Sequence, residues 1–329
     1  AEHAVACLKA GLHVYCEKEM SNTLEGARKM VQAAKETGKL LQIGHQRRSN
    51  PRYLHCYQKL LQEAKILGRI TTINGQWNRS KAACEDLGWG GERYAIEQGT
   101  LEKYGFGSMR RFKNWRWYKG LGGGPIVDLG SHQIDIYSWF LGANPKSVMA
   151  SGGTDYYDNK THEWYDNVMA IYEYETVQGI VRAFYQTITT NSSQGYFETF
   201  MGDEGTLLIS EAAGRGSVYR EVWLPADKWD KWVKMGYLND SSGKENKPQA
   251  GAVLDVRETV PAARYELPVT MDKPYHQPHL ENFFDAIRGT AKLACPAEVG
   301  YETAVTVLKV NEAVEAGRKL DFKHEEFKA

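Results

Sequence analysis

The sequence predicts an α/β chain with two parts. Residues 1–48 read as the later part of a doubly wound domain with a parallel sheet. Residues 49–329 read as an α/β domain on a large open sheet, mixed but mostly antiparallel. Three observations lead there. Near the start, two short apolar runs flank an amphipathic segment, the strand-helix-strand pattern whose crossover makes the strands parallel. From residue 147 onward, six runs of two-residue period follow one another across mostly short turns, as in an antiparallel sheet. Between them lies Gly122-Gly-Gly-Pro-Ile-Val-Asp128-Leu-Gly-Ser-His132-Gln-Ile-Asp135, a glycine run opening onto a helical stripe.

Taken in order, Ala1 to Ala10 has helical period and closes on Gly11, as helices end on a left-handed glycine. Residues 12–16 form a short buried strand. Asn22-x-x-Glu25 is a capping box opening a helix with Leu24, Ala27, Met30, Val31 and Ala34 on one face, and Gly38 ends it. Residues 40–44 are the next strand. This geometry sets Glu17-Lys18 and His45-Gln46 along the carboxyl edge, where open parallel sheets bind ligands. A helix follows from Pro51 to about Lys65, then a strand over 69–77. Residues 80–120, including Gly88-Trp-Gly-Gly91 and Asn114-Trp-Arg-Trp-Tyr118, lack clean period; so long a loop is functional or partly disordered.

The central helix starts near Gly130, carries Ile134, Tyr137, Phe140 and Leu141 on one stripe, and stops at Gly142. Strands are expected at 147–151, 167–175, 179–190, 196–202, 206–210 and 217–223. An irregular excursion follows over 225–265, with 240–246 as its flexible part, and helices at 279–288 and 299–316 close the chain. Val168, Ala170, Tyr172 and Tyr174 alternate with polar neighbours, as do Val181, Ala183 and Tyr185. One sheet face can pack on helices; the other exposes apolar area unless a second subunit covers it. A homo-oligomer through the sheet face is therefore expected.

Composition narrows the function classes. Lys plus Arg equals Asp plus Glu at 41 each, so no global field favours nucleic acid or an anionic membrane. No apolar run approaches the ~20 residues of a membrane span. The five cysteines show no CxxC spacing, which argues against a disulfide framework or zinc knuckle. Reduced thiols slightly favour a cytoplasmic setting. Export stays open, because the uncapped first helix reads as an amputated N-terminus. Nineteen Tyr and nine Trp suit sugar-binding or oligomer surfaces, and large cores absorb them too.

Asp128 just before a helix and His132 in its first turn could pair a carboxylate with an imidazole for proton transfer. The same polar turn could merely cap a surface helix, and residue types alone leave both open. Asp128-x3-His132-x2-Asp135 lacks the companion histidines of zinc sites, so no metal is expected, and Asp135 reads as a structural acceptor. His45 stands near a ligand edge or bonds to backbone. His276 and His279 read as helix caps. Trp115-Arg116-Trp117 is either a stacking platform for a sugar or an aromatic core under the loop.

Several separate stretches resemble the Gfo/Idh/MocA oxidoreductases, the glucose-fructose oxidoreductase and inositol dehydrogenase group. Ala10-Gly-Leu-His-Val-Tyr-Cys-Glu-Lys18 resembles that family's strand ending in Glu-Lys-Pro. Gly122 to Asp135 is similar to its Gly-Gly-Gly-x-x-x-Asp-x-Gly-x-His-x-x-Asp signature. Gly202-Asp-Glu-Gly-Thr206 resembles its Gly-x-x-Gly-Thr turn, and His279 to Arg288 its late helix pattern. The resemblance follows the family's order over essentially the whole chain. It implies a Rossmann domain, bound NAD or NADP, and hydride transfer to or from a carbinol carbon of a sugar, sugar derivative or polyol. Lys18, Asp128 and His132 match the family's catalytic lysine, aspartate and histidine. Glu17 and Lys18 border the cofactor, Gln46 and Arg48 face its nicotinamide side, and Trp115, Arg116 and Asp128 are the expected substrate contacts.

Two departures stand out. No strand followed by G-x-G-x-x-G is present, so about 90 residues of a Rossmann half, at ~30 per β-α unit, are expected to be missing. Residues 1–329 alone should then bind dinucleotide poorly. Glu19 also replaces the proline after Lys18, which leaves the lysine backbone less preorganised. The same scaffold resembles NAD-dependent glycoside hydrolases, which oxidise transiently and eliminate, and non-catalytic sugar- or nucleotide-sensing regulators. The intact Lys18, Asp128 and His132 set favours an enzyme.

Overall fold

Two sheets of unequal size organise the computed structural model, which describes residues 1–84, 92–212, 214–241 and 263–329. The smaller is a parallel pair, β1 (Val14–Cys16) and β2 (Leu41–Ile43), crossed over by helix Leu24–Thr37. That helix buries Ala27, Met30, Val31 and Ala33, one side of the amphipathic pattern, against the core. Its cap is Thr23 and not Asn22: the Thr23 hydroxyl accepts from the Gly26 amide at 3.1 Å, while Asn22 donates across to the Gly120 carbonyl at 3.2 Å. Both strands are three residues long, shorter than expected; Leu12 is exposed, and β2 is buried throughout.

The chain leaves β2 through a 3-10 turn, Gln46–Ser49, into helix Pro51–His55, which continues as a π-helical stretch, Cys56–Glu63. Asn50 caps it by accepting from the Arg52 amide at 2.9 Å, with proline in the first turn where its missing N–H costs nothing. The large sheet then runs through β3 (Ile70–Asn78), β4 (Pro145–Gly153), β5 (Asn167–Thr176), β6 (Gly179–Ile188), β7 (Tyr196–Gly202), β8 (Gly205–Ile209), β9 (Gly216–Arg220), β10 (Asn239–Asp240), β11 (Ala263–Glu266) and β12 (Leu320–Asp321). Its order is β10-β11-β9-β8-β7-β3-β6-β5-β4-β12. β3 sits between β7 and β6 and runs parallel to β6; the other pairings are antiparallel. Within the expected excursion over 225–265, the described residues form the short edge strand β10 and the beginning of β11, which pairs with it and with β9. The expected flexible stretch from 242 onward and the Gly88–Gly91 run lie outside the described residues.

Two-residue alternation does what a pleated strand requires. Val168, Ala170, Tyr172, Tyr174, Val181, Ala183 and Tyr185 are buried on the inner face, while Met149, Met169 and Ile171 stand 42–49% exposed on the outer one. Helix Gly130–Leu141 and helix Ala297–Ala316 cover the inner face. Ile134 and Phe140 are buried there, each such side chain contributing about 1.5–3 kcal/mol. Tyr137 donates its hydroxyl to the Phe184 carbonyl at 2.9 Å, which pins the central helix to β6. Between β3 and that helix, residues of the long aromatic segment form short helices, Lys81–Cys84, Gln98–Lys103 and Met109–Lys113, and a 3-10 turn at Trp115–Trp117. Cys84, Trp117 and Tyr118 make a small core of their own beneath them.

Candidate active site

Lys18 leaves the carboxyl end of β1, joined to Glu19 by a cis peptide bond. Asp128 ends the short helix Gly124–Asp128, and His132 lies in the first turn of Gly130–Leu141. The glycine run makes this approach possible through the protein's own packing. A Cβ on Gly122 would sit 2.9 Å from the Arg116 backbone, and Gly124 has φ +80°, with a Cβ there 2.9 Å from Trp164. These close approaches are to the protein's own atoms, although the glycines also wall a cavity.

Lys18 donates to the Asp128 backbone carbonyl and lies 3.4 Å from its carboxylate, with 11% of the lysine side chain exposed. Arg116 reaches the other carboxylate oxygen at 3.2 Å. Burial pushes the Asp128 carboxyl up, but the Lys18, Arg116 and Arg79 charges outweigh it and hold it below its ordinary value. Asp128 makes no hydrogen bond to His132, so it does not orient the ring as expected. The imidazole rests instead against Trp77, centroids 5.4 Å apart at 33°, and its buried Nδ1 has no partner among the described residues. Burial, then the Lys18 and Arg47 charges, hold the ring well below its usual pKa, so it is neutral near pH 7.

Lys18, Asp128, His132 and Arg116 line one cavity of about 350 Å³, together with Trp77 and Arg79. A larger one of about 630 Å³ shares Lys18, Arg116 and Asp128 with it and is walled further by Glu19, Trp115 and the glycine run. Lys18, from the end of β1, and His132, from the central helix, therefore converge on a common space. Trp115 is 38% exposed, and the Arg116 guanidinium stacks 4.5 Å over its ring. Glu17 is exposed and lies across Gly44, where a Cβ would meet its carboxylate at 2.6 Å.

Gln46 and Arg48 do not join this space. Gln46 donates to Glu211 at 3.0 Å, and Arg48 grips Asp135 with 2.8–3.0 Å contacts. The reason is electrostatic: Asp135 is 1% exposed, and a buried carboxylate demands a cation. Thr303 supplies a further donor at 2.9 Å, which makes Asp135 the structural acceptor that the spacing suggests. His45 is buried 3.9 Å from Asp135, with neither ring nitrogen hydrogen-bonded among the described residues; burial lowers its pKa to about 4. His279 is no cap: it sits 2.6 Å from the Ser49 hydroxyl and 2.9 Å from the Ile43 carbonyl, tying β2 to helix Gln277–Ile287. Sequence reasoning also missed Trp77 and Arg79. The available signal was their position at the end of a strand, though nothing local tells where that strand ends up.

A family model described as the oxidoreductase family C-terminal alpha/beta domain matches residues 100–322. The companion model, an NAD-binding Rossmann fold, matches residues 1–45. The chain belongs to the Gfo/Idh/MocA oxidoreductase family. Within that family it is 31% identical over 150 residues to scyllo-inositol 2-dehydrogenase (NADP(+)) of Bacillus subtilis, a match covering 46% of this chain and 34% of that protein. It is 27% identical over 208 residues to 1,5-anhydro-D-fructose reductase of Ensifer adhaerens, covering 63% and 52%. The chain thus spans a third to about half the length of these curated relatives. Levoglucosan dehydrogenase, solved with NADH and levoglucosan, shares the fold at TM-score 0.69 and 17% identity, over 98% of this chain and 77% of that one.

The residues of the larger cavity fit the nicotinamide end of the cofactor that the Rossmann match implies. Glu19 faces that cavity, and one of its carboxyl oxygens is buried without a partner. Burial pushes its pKa up to about 8, so near neutrality it carries a proton to donate as well as oxygens to accept. A carboxamide offers both complements. Among the described residues no group of three or more His, Cys, Asp or Glu could hold a metal, and no helix is long and apolar enough to cross a membrane.

Proposed function

We propose that the protein is an NAD(P)-dependent oxidoreductase acting on a CH–OH group of a sugar, sugar derivative or polyol. Residues 1–48 serve the cofactor side, and residues 49–329 serve the substrate and assembly. The observation that carries this is the convergence of Lys18 and His132 on one cavity. The nicotinamide, held by Lys18 and Glu19, would accept or return the hydride. Neutral His132 takes the hydroxyl proton as the carbinol carbon is oxidised, and returns it in the reverse direction. The Lys18 ammonium, positioned by Asp128, holds the same oxygen and favours its developing negative charge. Trp115 and Arg116 present a stacked surface at the entrance.

The test is turnover by the full-length protein of hexoses, inositols and anhydro sugars, with His132→Ala alongside. kcat should fall by about 10²–10⁴ with the melting temperature kept. The wild-type rate should rise with pH through a group below the ordinary histidine value, and that limb should vanish in the variant. An unchanged kcat in His132→Ala defeats the assignment.

We infer also that a second copy covers the outer sheet face. Met149, Met169 and Ile171 lie exposed on neighbouring strands there, the apolar area a symmetric interface would bury. Light scattering at micromolar concentration should report a dimer or larger species. A monodisperse monomer would count against it.

A further inference from the structure

Charge around the smaller cavity does not balance. Among the described residues lining it there are three permanent cations, Lys18, Arg79 and Arg116, and one carboxylate, Asp128. Asp128 is already engaged by Lys18 and Arg116. Arg79 has no such partner among the described residues; its guanidinium lies 5.6 Å over the Trp77 ring. Its backbone is fixed where β3 ends, the Arg79 amide donating to the Ile188 carbonyl at 2.7 Å. The side chain is half-buried, so its donors are partly withdrawn from water. Its guanidinium makes no side-chain hydrogen bond among the described residues, and a guanidinium with free N–H groups can grip planar or tetrahedral anions with two bonds.

The space itself limits the ligand. About 350 Å³ is near the lower end of small-molecule sites, ~300–1,000 Å³, and suits one sugar ring. A carbinol beside His132 and a group beside Arg79 would then belong to the same ring or its immediate substituent.

We propose that Arg79 is an anion-reading subsite and that the preferred substrate is an acidic sugar, bearing a carboxylate or a phosphoryl group. This rests on the redox reading for the reacting carbon alone; the binding preference stands on the cavity's own charge. Calorimetric titration of the full-length protein tests it with matched series: D-glucose, D-glucuronate and D-glucose 6-phosphate, and the corresponding galactose set. In at least one series an acidic member should bind about 10–100-fold tighter than its neutral hexose. The advantage should shrink as salt rises. Which acid gains separates carboxylate from phosphoryl recognition.

Arg79→Gln should erase the advantage, bringing each acid to within about twofold of its matched hexose, and Arg79→Lys should keep part of it. Should Arg79→Gln fold poorly, the partial loss in Arg79→Lys, with an unchanged melting temperature, carries the comparison. Acids binding no tighter than hexoses in every series, no binding by any member, or a preference that survives both substitutions would overturn the proposal. Failure of the redox reading looks different: Arg79-dependent binding of an acid would persist without hydride transfer to NAD(P) from any sugar.

Discussion

Two clusters of charged side chains begin with Lys18 and Arg47, just past the two parallel strands, and they finish in opposite states. Past β2, Arg47 is 1% exposed and bonded to Glu198 and, at 3.0 Å, to Glu211. Tyr53 donates to Glu198 at 2.8 Å, and the rings of Tyr53, Trp77 and Tyr196 lie 5.5–5.8 Å from the guanidinium. Past β1, Lys18 meets Asp128 at the wall of two cavities, beside Arg79, which makes no ion pair among the described residues. The Trp77 ring is the partition, with Arg47, Arg79 and His132 all packed around it. A closed network of this kind holds two sheets together away from solvent, although one buried Arg47 nitrogen, Nη2, has no partner among the described residues. An open one gives up that pairing and keeps donors for whatever enters.

Substitutions can break the contrast from either side. The largest effect is expected for Lys18→Ala in the full-length protein: kcat down by about 10²–10⁴ while urea unfolding is barely moved. Comparable losses of activity and stability together would mean that Lys18 belongs to the structural class. Glu198→Ala should do the reverse. Leaving Arg47 buried with a single carboxylate costs about 3–5 kcal/mol in urea unfolding, with a smaller change in turnover per folded molecule. A loss below about 1 kcal/mol would show the network to be dispensable.

The smallest effect sharpens the comparison through pH. Burial raises the Glu19 carboxyl from 4.5 to about 8 in the folded protein. Because the folded value lies above the unfolded one, its contribution is full below 4.5 and is lost as pH climbs through about 8. Glu19→Gln, which does not titrate, should match the wild type near pH 5. It should melt about 2–4 °C higher near pH 9. Parallel melting curves at both pH values would mean that Glu19 is solvated when charged.

The residues of the open cluster were legible in the sequence where the chemistry is contiguous. Asp128 and His132 fall in one signature, and the helix period sets His132 in the first turn of Gly130–Leu141 with Asp128 just before it. Lys18 followed from the edge that a βαβ crossover creates. The alternation in β5 and β6 gave the buried face residue by residue. Arg79 and the Arg47 partners were not legible, because their setting depends on β3 entering between β6 and β7, and no local period encodes a pairing across such a distance. The helices at Lys81–Cys84, Gln98–Lys103 and Met109–Lys113 escaped for another reason. Each is 4–6 residues long, too short to form without tertiary support. The Thr23 cap was missed by one residue, since Asn22 and Thr23 both suit that position.

The insertion of β3 also has a consequence in time. Thr187 of β6 bonds back to Trp77 across 110 positions, and Tyr196 of β7 closes the other side later still. At ~5–20 residues per second of synthesis, β3 waits roughly 6–22 s before either neighbour exists. For that interval Ile73 and Trp77 have no sheet to enter, and the long closure they await is the slow kind in folding. The wall between the dry network and the cavity is therefore completed after synthesis has passed β7, and both charge clusters take their final form as late events of the same step.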